Sequence, residues 1–252
     1  MADVEQNLTV WENWDWSQEG DEWSASWGGT EALWQTVLEP RIHAFVPTGR
    51  ILEIAPGYGR WTQYLKDLCD HLVVVDLAPQ CIDHCRERFA AAQNIEYHVN
   101  DGRSLAMVED GSIDFVFSFD SLVHAEADVL DAYLGQLARK LKPNGAGFIH
   151  HSNAGTCRRI SALTRRVPGR VRNPLVKSGV LLDIYAWRAE TMTADEFVVQ
   201  CERAGLACLS QELISWERGL YLTDVLSVFS NGPAGRPRRV KNRRFKRNPG
   251  LA

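Results

Sequence analysis

The feature that most narrows the possible folds is a strand-like run ending on glycine. Residues 51–55 (Ile-Leu-Glu-Ile-Ala) are apolar apart from Glu53 and lead directly into Pro56-Gly57-Tyr58-Gly59. A run of this length bounded by turn residues predicts a buried strand. Two glycines one residue apart permit a tight turn that a ligand can approach without meeting a Cβ. The alternation then repeats. Strands are predicted over 71–76, 94–99, 113–119 and 147–151, and helices over 32–39, 60–68, 79–91 and 127–141. The last of these carries Val129, Leu130, Tyr133, Leu134, Leu137 and Leu141 on one face. A helix over 193–204, stopped by Gly205, precedes two strands, 206–214 and 221–229, with no helix between them. This order predicts an α/β fold: a Rossmann-like sheet, mostly parallel, flanked by helices joined by right-handed crossovers. The closing hairpin makes one edge strand antiparallel.

With 252 residues, 45% of them hydrophobic, the chain can bury one substantial core. Residues 1–49 are expected to form an acidic, aromatic arm of short helices over a main domain at 50–231. The arm holds Trp11, Trp14, Trp16, Trp23, Trp27 and Trp34, and its first 31 residues contain eight acids and no Lys or Arg. A basic insertion near 153–189 has seven basic residues and no acid over 158–177, and residues 232–252 read as a basic, low-complexity tail. Net charge is only −4, which argues against nucleic acid as the general partner, although the tail alone would suit it. No stretch approaches the roughly 20 apolar residues of a membrane span. The first ten residues carry acids and no basic cluster before an apolar run, unlike a secretory signal. The six cysteines include no Cys-x-x-Cys pair, so free thiols, a reducing compartment and a cytoplasmic location are expected.

Ligands in open parallel sheets sit beyond the carboxyl ends of the strands. Polar groups fall at three successive strand ends. Glu53 precedes the glycine turn, Asp76 lies 23 residues after Glu53 at the end of the second strand, and Asn100-Asp101-Gly102 follows the third. Asp76 suits a ribose diol, while Asp101 and neighbouring amides suit an adenine. Asp120, His124, His150 and His151 gather at the ends of strands four and five. Imidazole is matched to removing a hydroxyl proton near neutral pH. Adjacent His150 and His151 must face opposite sides of the sheet, so at most one meets a ligand. The base is expected at His124 or His151, then His150, with Asp120 beside it. Asp120, His124 and His151 also offer ligands for a divalent ion such as Mg²⁺.

These motifs resemble the class I S-adenosylmethionine-dependent methyltransferases over residues 50–153 and the closing hairpin. The resemblance implies that Glu53 steadies the methionine end of the cofactor and that the turn with Ala55, Gly57 and Gly59 lies against it. Asp76 with Leu77 would hold the ribose, and Asp101 with Gly102 the adenine. Phe119 and Trp27 are further expected contacts; the aromatic arm, with Trp27-Gly28-Gly29, reads either as packing on the domain face or a dimer partner or as a lid over the cofactor. A dinucleotide-dependent dehydrogenase is the rival for this sheet, but Thr62 stands where its third glycine belongs.

The stretches Phe117-Ser118-Phe119-Asp120-Ser121-Leu122-Val123-His124 and His150-His151-Ser152-Asn153 are similar to actinobacterial sugar O-methyltransferases, including the mycobacterial methylmannose polysaccharide type. The tryptophan motifs of the arm share this similarity. It implies a small-molecule or oligosaccharide hydroxyl as acceptor and makes Mg²⁺ a requirement to test, while the aromatic arm offers a homodimer contact as one arrangement. A secondary-metabolite methyltransferase and a noncatalytic cofactor- or RNA-binding protein are the alternatives. The amino-methylating signature Asn/Asp-Pro-Pro-Tyr/Phe is absent, which favours oxygen as the acceptor atom.

Overall fold

A computed structural model describes residues 3–178, 180–182, 188–215, 221–233 and 235–245. The arm opens with α1 (Val4–Glu12), capped by the Asp3 carboxylate, which accepts from the Gln6 amide at 2.8 Å. Two 3₁₀ turns, Asp21–Trp23 and Ala25–Trp27, follow. Helix α2 (Thr30–Leu33) then passes through a π turn (Trp34–Leu38) into α3 (Glu39–Ile42). Pro40 therefore does not end the predicted helix at Glu39. It sits in the first turn of α3, where its missing N–H is not needed.

The main domain runs β1 (Thr48–Ile54), α4 (Thr62–Leu65), β2 (Cys69–Asp76), α5 (Pro79–Arg88), β3 (Ile95–Val99), β4 (Ile113–Ser118), α6 (Ala127–Lys140) and β5 (Leu141–Ser152). The insertion forms α7 (Arg158–Arg166) and α8 (Gly169–Lys177). Helix α9 (Ala194–Ala204), β6 (Ala207–Ile214), β7 (Asp224–Ser230) and β8 (Arg238–Asn242) follow. The sheet order is β3-β2-β1-β4-β5-β7-β6-β8. Strands β1 to β5 are parallel, and β7 is antiparallel to both β5 and β6. The order reverses direction between β1 and β4, the switch point where a crevice opens in such sheets.

Period-two alternation divides the core between the two faces of the sheet. Leu52, Ile54, Val73, Val75 and Val116 pack against α6 and α9 through Leu130, Leu134, Leu137 and Phe197. Ile51, Leu72, Val74, Phe115 and Phe117 face Leu33, Val37, Leu38 and Ile42 of the arm. One side of residues 30–42 is thus core.

The tail departs from the low-complexity reading. Residues 238–242 form β8, pairing in parallel with β6, and Phe245 beyond it is fully buried. The sequence signal was masked by charge, because Arg238, Arg239 and Lys241 are the residues that keep an open sheet edge from pairing with other chains. The helix expected over 60–68 is also shorter: the chain leaves the glycine turn late, and only Thr62–Leu65 is α-helical.

Candidate active site

A cavity of about 470 Å³ opens at the switch point, within the range of small-molecule sites. One wall is the sheet end: Ala55, Gly57, Asp76, Leu77, Gly102, Phe119 and Asp120 all line it. The opposite wall is the arm, through Val4, Asn7, Trp11, Trp14, Trp16 and Trp23.

The glycine turn is tight for identifiable reasons. Gly59 has φ +85°, and a Cβ there would lie 2.5 Å from the Phe89 ring. Ala55 adopts φ +59°, a left-handed conformation unusual for alanine. Its amide donates to the Val75 carbonyl at 2.8 Å, so sheet pairing enforces the bend.

Asp76 ends β2 with both carboxylate oxygens engaged, accepting from the Gly57 amide at 3.1 Å and the Ala78 amide at 2.9 Å. Burial pushes its pKa up to about 6 despite those bonds. Glu53 is buried behind the turn. One oxygen accepts from the Thr62 hydroxyl at 2.6 Å, while Oε1 is buried with no partner. Burial, opposed by the Thr62 bond and helped by nearby Asp76, pushes the Glu53 pKa up to about 8. Asp101 is exposed and does not line the cavity. Its Oδ1 accepts from the Ser104 and Arg103 amides, which lowers its pKa. The cavity wall beyond β2 and β3 is built instead by Leu77, Gly102, Tyr133 and Val4.

This donor set fits S-adenosylmethionine. A carboxylate for a diol, a Cβ-free turn and an apolar slot share one cavity, and a buried carboxyl oxygen without a partner stands behind the turn. Asp76 and Leu77 would hold the ribose, Gly102 and Leu77 the base, and the backbone at Ala55 and Gly57 the amino-acid end.

Asp120 and His124 also line the cavity. Asp120 sits at φ +68° and pairs with Arg60 at 2.8 Å. The Arg60 guanidinium lies 4.5 Å from the Trp61 ring and 5.3 Å from that of Trp23. The His124 ring is 5.3 Å from Trp11, and its backbone carbonyl accepts from the Asn7 side chain at 3.2 Å.

The two histidines of β5 do face opposite sides, and neither lines the cavity. His150 supports Asp120 from behind: its Nδ1 accepts from the Asp120 amide at 3.2 Å, and its Nε2 is 3.3 Å from Asp224 Oδ1. Asp224 in turn accepts from Arg188 Nε at 2.7 Å, and Arg188 reaches the cavity wall. Burial would push the Asp224 carboxyl up, but the Arg188 charge and the His150 bond outweigh it and hold it well below the usual range.

His151 requires a correction. It stacks on Phe197 at 4.4 Å and bonds to Ser227 Oγ at 2.8 Å, on the α9 side of the sheet. Burial pushes its pKa down to about 3, so it is a neutral core residue rather than a base. The proposed metal set fails with it. His151 is on the wrong face, and no group of three or more His, Cys, Asp or Glu among the described residues is arranged to hold a metal ion.

Trp27 is a second correction. Its ring packs 5.3 Å from Phe245 rather than over the cavity. The tryptophans that do line it are Trp11, Trp14, Trp16 and Trp23, with Trp16 stacked on Tyr58 at 4.5 Å. The arm is legible in the sequence but the rings that face the site are not, because the arm's short turns give no periodicity to read. Nor are Arg60 and Tyr133, whose residue types carry no distinguishing spacing.

The family model described as "Methyltransferase domain" matches residues 51–145, the segment from β1 into β5 that carries the glycine turn, Asp76 and Asp120. Over residues 51–145 the chain is therefore similar to methyltransferase domains. Two curated relatives match parts of the chain. Squalestatin hexaketide synthase of Phoma sp. is 31% identical over 149 residues, 52% of this chain and 6% of the relative. Phosphoethanolamine N-methyltransferase 1 of Triticum aestivum is 28% identical over 138 residues, 51% of this chain and 28% of the relative. The chain thus spans less than a third of either protein. Among solved structures, a Leishmania major S-adenosylmethionine-dependent methyltransferase superposes with TM-score 0.61 at 13% identity, covering 90% of this chain and 82% of that one. At that identity the likeness concerns the fold alone.

All six cysteines are free, five of them buried. No helix among the described residues is long and apolar enough to cross a membrane.

Proposed function

We propose that the protein transfers the methyl group of S-adenosylmethionine to a hydroxyl of a sugar or oligosaccharide, with His124 as general base. The observation that carries this reading is the position of His124, in the cavity wall beside Trp11 and close in sequence to the Asp120–Arg60 pair. Indole faces offer flat apolar platforms of the kind a pyranose ring packs on, and their N–H groups add hydrogen bonds.

When bound, S-adenosylmethionine supplies a methyl carbon already activated by its positive sulfur. The protein's task is to hold the acceptor oxygen in line, exclude water and accept one proton. The arm's tryptophans exclude water. Asp120, fixed by Arg60 and by His150 behind its amide, is placed to bond an acceptor hydroxyl. His124 takes the proton. Because the donor is already activated, positioning supplies much of the rate and the base a smaller part.

An amine acceptor is the second reading, favoured by the name of the wheat relative. Calorimetry with S-adenosylmethionine, S-adenosylhomocysteine and NAD comes first. We expect the first two to bind and NAD not to, with affinity falling at least about tenfold in Asp76→Asn as ribose bonding is lost. Labelled methyl transfer to a panel of saccharides and of alkanolamines then separates the acceptors. With a saccharide acceptor, His124→Ala is expected to lower kcat roughly ten- to a hundredfold without weakening cofactor binding. Transfer to alkanolamines alone would replace the sugar reading. Preference for NAD would overturn the cofactor assignment.

A further inference from the structure

Helices α7 and α8 invert the usual pattern of a surface helix. Ser161 and Thr164 of α7 are buried, while Ile160 and Leu163 are 38% and 61% exposed. Val167 continues the same stripe one turn on and is half-buried. In α8, Val171 is 53% exposed, and Val180, just beyond it, is 51% exposed. Four of the seven large hydrophobic side chains exposed among the described residues therefore fall in this one segment. Exposed apolar groups concentrated in one segment in this way mark an interaction surface.

Charge selects the partner. Over 158–177 there are seven basic residues and no acid: Arg158, Arg159, Arg165, Arg166, Arg170, Arg172 and Lys177. Six of these seven are exposed, Arg172 being half-buried. Aliphatic side chains interleaved with arginine suit an anionic bilayer surface. The aliphatic groups enter the acyl boundary while the guanidinium groups meet the headgroups. A nucleic-acid surface would not use the exposed Ile and Leu, and the segment has no aromatic ring to stack on bases. We propose that α7 and α8 form a docking face for anionic membrane surfaces.

Helix α7 starts from the end of the sheet that carries the site. Helix α7 follows directly from the turn Ala154–Cys157 after β5, and the Gly155 amide in that turn donates to Met192, near Arg188 of the cavity wall. Docking through α7 and α8 would hold the C-terminal end of the sheet near the bilayer.

The test is co-sedimentation of the full chain with phosphatidylcholine vesicles, with and without added phosphatidylglycerol. Binding is expected only with the anionic lipid and is expected to fall as salt is raised. Ile160→Ser/Leu163→Ser, which keeps every charge, should weaken it at least about tenfold by removing the inserted groups. Arg158→Glu/Arg159→Glu should also weaken it. Unchanged melting curves and unchanged S-adenosylmethionine binding show that both variants fold. Failure of the wild type to bind anionic vesicles, or equal binding to neutral ones, overturns the proposal. So does a wild-type dimer that Ile160→Ser/Leu163→Ser dissociates, which would assign the face to a second copy. Duplex DNA binding with no vesicle binding would give it to nucleic acid and equally overturn the proposal.

Discussion

Glu53 is the residue whose environment departs furthest from its chemistry. An acid inside a buried strand, holding one hydroxyl bond and one oxygen without a partner, is protonated at neutral pH, its pKa pushed up to about 8 by burial. The native state then holds a proton that the unfolded chain releases near pH 4.5. Stability from this group is complete below that pH and is lost as pH rises toward 8. Glu53→Gln keeps the shape and removes the titration. Relative to wild type, the variant should gain stability between pH 4.5 and 8, by on the order of a few kcal/mol, measured by urea unfolding at a series of pH values. A difference that stays flat with pH would mean that Glu53 is ionised in the fold. His151 pulls the other way: with its pKa pushed down to about 3, it costs stability as pH falls below 6.5. Its stack on Phe197 makes it structural, so His151→Ala is expected to lower stability while leaving kcat unchanged once an acceptor is in hand.

At the scale of elements, the strands were legible because each is a short apolar run closed by turn residues, and the glycine turn fixed which ends carry the site. Asp76, Leu77, Gly102, Phe119 and Asp120 line the cavity because strand ends place whatever follows them. The arm was legible only as an aromatic mass. Its geometry comes from tertiary contacts: Trp16 stacks on Tyr58, a Cβ on Gly57 would lie 3.0 Å from the Trp16 ring, and the Gln80 amide donates to the Trp11 carbonyl at 2.7 Å. Glu19 adds an ion pair to Arg88 of α5 at 3.0 Å. The arm thus closes the cavity over the turn that would hold the cofactor. Trp16→Ala should weaken S-adenosylmethionine binding about tenfold or more, since a stacked ring is removed beside the site. Calorimetry reads the loss, and an unchanged affinity would make Trp16 packing alone.

Taken whole, the molecule ties the second half of the arm and the tail to the same face of its sheet. Trp27 from the arm packs on Phe245 from the tail. Arg41 of α3 lies over the same ring at 5.4 Å while pairing with Glu212 of β6 at 2.8 Å. Asn242 at the end of β8 reaches Glu212 as well, at 2.9 Å. Composition hid this arrangement. A stretch with eight basic residues reads as solvated, and one phenylalanine does not announce a core position. The ring is nevertheless fully buried among groups from three separate parts of the chain, so it acts as a clasp rather than an ornament of the tail. Phe245→Ala should cost about 3 kcal/mol or more, because it removes a buried ring and leaves Arg41 and Trp27 around a cavity. Truncation at Gly232 should cost at least as much, since it also strips β8 from the sheet and exposes the edge of β6. Urea unfolding measures both, and Phe245→Leu, which refills most of the space, should recover the larger part of the loss. If both Phe245→Ala and the truncation unfold at the wild-type midpoint, the tail lies outside the cooperative unit and the two ends fold independently of each other.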